Sequence, residues 1–111
     1  MSRRQQPLEA ARDELIALDV AVARALGARH PAAGFLHGAL ADVRANLQRA
    51  LDHPAGDATD ASVASTQLRA LTQLRAMLPD LEPKPADLFE LDDRLGWVCD
   101  LLVKAGGRVP E

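Results

Sequence analysis

The sequence predicts an all-α fold, a four-helix up-and-down bundle, and three observations carry that prediction. Four segments of similar length place apolar residues at alternating three- and four-residue steps, the spacing that lines one stripe of an α-helix. Proline and glycine interrupt the pattern between them, at Gly27, in HPAGDATDAS from His53 to Ser62, and in LPDLEPKPAD from Leu78 to Asp87. The hydrophobic fraction is 48% while the aromatic fraction is only 3%, so the core must be built from Leu, Val and Ala, which suits close helix packing. The four helices are expected at residues 7–27, 31–52, 59–78 and 87–105. At about 1.5 Å per residue each is roughly 30 Å long, so they can lie side by side with short connections. The same helices also fit a second topology, halves of an intertwined dimer.

The first helix is expected to begin near Pro7, where a missing N–H costs nothing, leaving residues 1–6 frayed. Its core stripe is Leu8, Ala11, Leu15, Leu18, Val22 and Leu26, with Gly27 as a left-handed cap. Pro31 opens the second helix, whose stripe is Leu36, Leu40, Val43, Leu47 and Ala50 or Leu51. The third helix carries Ala64, Leu68, Leu71, Leu74 and Leu78, with Asp57, Thr59 or Asp60 as its N-cap. Pro79, Pro83 and Pro85 then make a stiff connection, because each fixes its own φ and pushes the preceding residue out of the helical region. The fourth helix is the best specified. Leu88, Leu91, Leu95, Val98, Leu102 and Ala105 form its stripe, Asp87 with Glu90 three residues on reads as a capping box, and Gly106 and Gly107 end it.

At 111 residues the chain fits one domain, residues 1–111, long enough to bury a core without metal or disulfides. A lone cysteine, Cys99, cannot make an intrachain bridge, which points to a reducing, cytoplasmic setting. The start, MSRRQQP, is not followed by an uninterrupted apolar run, so neither a signal peptide nor a membrane span is expected. The net charge of -3 offers no overall electrostatic footprint for nucleic acid.

The chain lacks a phosphate loop, a paired-cysteine motif, a Glu-x-x-His pair and a nucleophile elbow, so no enzyme activity and no cofactor or metal are expected. His30, His37 and His53 do not add up to a zinc site, and Cys99, close to the last stripe, reads as a small hydrophobe. What remains are side chains off the core stripes. On the first helix these are Ile16 and Val20, which either widen the buried face or belong to a second contact surface. The second helix has a stripe of small residues, Gly34, Gly38, Ala41 and Ala45, in which each helical glycine costs about 1 kcal/mol relative to alanine; either Gly34 lies in a loose first turn and Gly38 is tolerated, or a close helix crossing, within the chain or across a dimer, accounts for them. On the fourth helix Trp97 points to the side, where it either packs at the bundle edge over a neighbouring helix or anchors a partner, with Leu101, one turn on, extending an apolar patch beside it. The expected function is therefore non-enzymatic: a small regulator, adaptor or inhibitor, of the immunity or anti-activator type, acting through contacts with another protein or as a homodimer. The alternative is a bundle that binds a small apolar ligand in its core.

Overall fold

The structure, a computed structural model, describes residues 5–27, 29–81 and 84–109. Four helices follow in order: α1 (Gln5–Leu26), α2 (Pro31–Asp52), α3 (Asp57–Met77) and α4 (Pro85–Lys104), with a short 3-10 turn, Leu78–Leu81, after α3. Side-chain pairs show the directions. Arg12 meets Gln48 and Asp19 meets His37, so α1 and α2 are antiparallel; Arg75 with Asp92 and Ser65 with Arg108 show the same for α3–α4, and the short connection from Asp52 to Asp57, with the Asn46–Gln67 pair, folds α3 back on α2. α4 packs back on α1, which closes an up-and-down bundle with a long dimension of 41 Å.

α1, α2 and α4 each contribute two side chains to one cross-section of the core, Leu18 and Val22, Leu36 and Leu40, Leu91 and Leu95, and α3 contributes Leu74 beside Leu78 of the 3-10 turn. The space left among these eight is only about 10 Å³, less than a water molecule usually needs. A single chain thus closes its own core, so the intertwined-dimer arrangement is not required to bury it. An apolar ligand has no room there.

The expected stripes are the buried ones, and the differences lie at helix ends. α1 begins at Gln5, so Gln5 and Gln6, expected to fray, are helical, and residues 1–4 of that stretch lie outside the described residues. α2 spans the predicted residues, capped by His30, whose Nδ1 accepts a hydrogen bond from the Ala32 N–H at 3.1 Å. α3 takes Gly56 as its N-cap, at φ 109°, and none of the expected side-chain caps serves: the Asp60 N–H already donates to Gly56 O at 3.1 Å. In α4 the capping box does not form. Pro85, with φ preset for a helix, starts it two residues early, Lys84 stays extended at ψ 146° as a residue before proline must, and Asp87 falls inside the first turn. At the other end Gly106, at φ 94°, donates to Val103 O at 2.9 Å and Gly107 to Leu102 O at 2.9 Å, a Schellman cap. The Arg108 N–H then donates to Ser65 Oγ at 2.9 Å, tying the tail to α3.

Candidate interaction surfaces

Antiparallel packing of α1 on α2 brings together two features that are distant in sequence. Arg12 Nη1 donates to Gln48 Oε1 at 2.9 Å, and His37 Nδ1–H donates to the Asp19 carboxylate at 2.8 and 2.9 Å, which fixes the register of the pair. In that register Ile16 lies beside Ala41 and Ala45 along the outer seam, and Ala23 lies beside Gly34 further on. Val20, one turn beyond Ile16, is 62% exposed, and Ile16 is 48% exposed. The ridge of α1 and the small-residue stripe of α2 therefore form one outer face of the hairpin. Gly34 and Gly38 are exposed, and nothing lies within 4 Å of where a Cβ would sit on either. Close crossing within the chain, one of the expected reasons for these glycines, is therefore not the reason; glycines tolerated in place and a crossing between copies both fit the open space.

Trp97 and Leu101 do not share an exposed face. Trp97 is 50% exposed at the edge of α4, with Glu14 of α1 and Arg94 and Asp100 around it and Lys104 Nζ 5.8 Å from the ring centroid. Leu101 is buried in the core cluster, so the apolar patch expected around Trp97 is absent. The reason is the number of neighbours α4 has. It is flanked by α1 and α3, so its buried arc is wide enough to take in Cys99 on one side of the stripe and Leu101 on the other. Trp97 sits about 100° from Val98 and is left at the margin.

The polar groups with chemical potential are mostly accounted for locally. Cys99 is buried, and burial pushes its thiol above the ordinary value. Arg75 spans to α4, where Nε donates to Asp92 Oδ1 at 2.7 Å and Nη2 to Oδ2 at 3.2 Å; this bond holds the Asp92 carboxyl below its ordinary pKa. Gly96 makes room for that guanidinium, since a Cβ there would lie 3.0 Å from Arg75 Nη2. Among the described residues no three His, Cys, Asp or Glu side chains are grouped to hold a metal ion, and no helix is long and apolar enough to cross a membrane.

One site was not anticipated. α2 and α3 are the adjacent helices that approach least closely, and a groove of about 510 Å³ lies in their seam, with Asn46, Arg49 and His53 on one wall and Asp60, Val63 and Gln67 on the other. Asp60 is 1% exposed, and neither of its carboxylate oxygens has a hydrogen-bond partner among the described residues. Its spacing was legible, because Asp60, Ala64 and Leu68 are four apart on one stripe, but in a cap-rich segment an aspartate reads first as a cap. Phe35, beside core Leu36, and Phe89, beside partly buried Leu88, are further exposed aromatic side chains. Comparison with known protein families, with curated proteins and with solved structures finds no match for this chain.

Proposed function

We propose that this is a non-enzymatic cytoplasmic protein that acts as a regulator, adaptor or inhibitor through protein–protein contacts, and that its first contact is with a second copy of itself through the outer face of the α1–α2 hairpin. The observation that supports this reading most is the union of exposed Ile16 and Val20 with an open stripe running from Gly34 to Ala45. A ridge and a flat stripe on the same face are self-complementary. Two copies related by a two-fold axis can each lay the ridge on the other's stripe, as an isologous interface requires. The flanking charges are of both signs, with Arg12, Asp13 and Arg44 around Ile16, so symmetry can pair unlike charges. Helical glycines that relieve no crowding inside the chain are accounted for if another helix approaches them from outside. Trp97, ringed by charge and half covered, is the weaker docking surface.

The test is sedimentation velocity over a concentration series, for the unaltered chain and for a variant carrying Ile16→Asp and Val20→Asp. The unaltered chain should shift from monomer to dimer with concentration, and the variant should stay monomeric with the same far-ultraviolet circular dichroism. A chain that is monomeric throughout, or a variant that dimerises equally well, rejects the assignment.

A further inference from the structure

Among the described residues, Asp60 is the one buried charged side chain that the packing of the bundle does not explain. Buried carboxylates in proteins are paired, hydrogen-bonded or bound to a metal, and this one, among the described residues, is none of these. It occupies a core-stripe position of α3, one turn before Ala64, where an apolar side chain would close the seam on α2. Instead the seam is open, and its groove is of the size that small organic ligands fill. The neutral amides close by are engaged with each other, Asn46 Nδ2 donating to Gln67 Oε1 at 3.3 Å. The guanidinium of Arg49, which also lines the groove, is exposed, where water and salt screen it, whereas the Asp60 carboxyl is buried.

We propose that the α2–α3 groove is a binding site for a small organic cation, an ammonium or guanidinium compound with an apolar stem, whose head pairs with the Asp60 carboxylate while the stem lies along Ala50 and Val63. A metal ion fits less well, since among the described residues it would find one carboxylate and no second acidic ligand in the groove, whereas an organic cation needs a single counter-charge and accepts an apolar wall. Both Asp60 oxygens are covered, so the head enters as the side chain rotates towards the groove or as α2 and α3 part. Binding is therefore coupled to local opening of the seam, and association is slower than a preformed site would allow.

The test uses n-butylamine and agmatine as probes, at matched ionic strength, with calorimetry and amide-resolved NMR on the unaltered chain, on Asp60→Asn and on Arg49→Ala. The unaltered chain should show saturable binding, with amide shifts centred on Asp60, Val63 and Gln67. Asp60→Asn keeps the shape and removes the charge, so it should weaken binding on the order of tenfold or more and melt no lower than the unaltered chain. Arg49→Ala should bind at least as tightly. Absence of saturable binding by both probes, equal affinity in Asp60→Asn, or lost affinity in Arg49→Ala overturns the proposal. So does a melting temperature of Asp60→Asn below that of the unaltered chain, because it would mean that Asp60 already has a partner in the folded protein.

Discussion

Gly38→Ala should stabilise the isolated monomer and weaken its self-association. Gly38 lies in the interior of a helix of 22 residues, well clear of both ends, and its φ is not in the left-handed region. A Cβ added there meets nothing within 4 Å, so no packing cost opposes the gain in helix propensity, about 0.8–1.0 kcal/mol. For a domain of this size that corresponds to a rise in melting temperature of roughly 4 °C. The measurement is thermal and urea unfolding followed by circular dichroism, at dilutions where sedimentation shows monomer. The urea midpoint should rise with an unchanged slope. The same methyl group would stand in the proposed contact between copies, so the dimer dissociation constant should increase in parallel. A variant no more stable than the unaltered monomer would refute the reasoning about open space at this position. Unchanged dimerisation would remove the small-residue stripe from the interface.

Gly107→Ala should have the opposite effect, since its Cβ would lie 2.8 Å from Leu102 O and 3.2 Å from the Ala64 backbone, neither of which can swing aside; a loss of about 1–3 kcal/mol is expected in urea unfolding, and a neutral variant would show the α4 cap to be loose. The Arg75–Asp92 pair should carry a pH signature. Asp92 has its folded pKa lowered, first by the hydrogen bond from Arg75, so the pair's contribution is present above the ordinary carboxylate range and fades as the pH falls through the lowered value. Both side chains are more than a third exposed, which limits the contribution to about 0.5 kcal/mol. The stability gap between the unaltered chain and Asp92→Asn should close in acid, and an NMR titration that places Asp92 at or above the ordinary range would contradict it.

Much of the fold was legible because in a helix the side chain's direction follows from position. Leu15, Leu47, Leu71 and Leu102, each taken from a three-and-four pattern, are among the most deeply buried residues. Chain breaks at Gly27 and Gly106 were equally plain, since both adopt the positive φ that glycine alone tolerates at little cost. Helix starts were less so. An aspartate near a break signals a cap by its chemistry, yet at Asp60 and Asp87 the backbone had already turned helical upstream, under the geometry of Gly56 in one case and Pro85 in the other. His30 was overlooked as a cap because its accepting nitrogen belongs to a residue seldom counted among capping side chains.

By itself, the sequence determined the number of helices, the stripe each one buries and the places where they end, all of which depend on short-range spacing and on the φ preferences of glycine and proline. Only the tertiary structure decided how wide each buried face is and what lies on the other side of it. Leu101 and Trp97 stand one turn apart on α4, and no periodicity separates a half-exposed tryptophan from a buried leucine until α1 and α3 are both set against that helix. The same holds for Asp60, whose burial depends on how close α2 stands, and for Ile16 and Gly34, which share a face only because α1 and α2 fold back antiparallel. These are distances between helices, and a residue's spacing along its own helix carries no information about them.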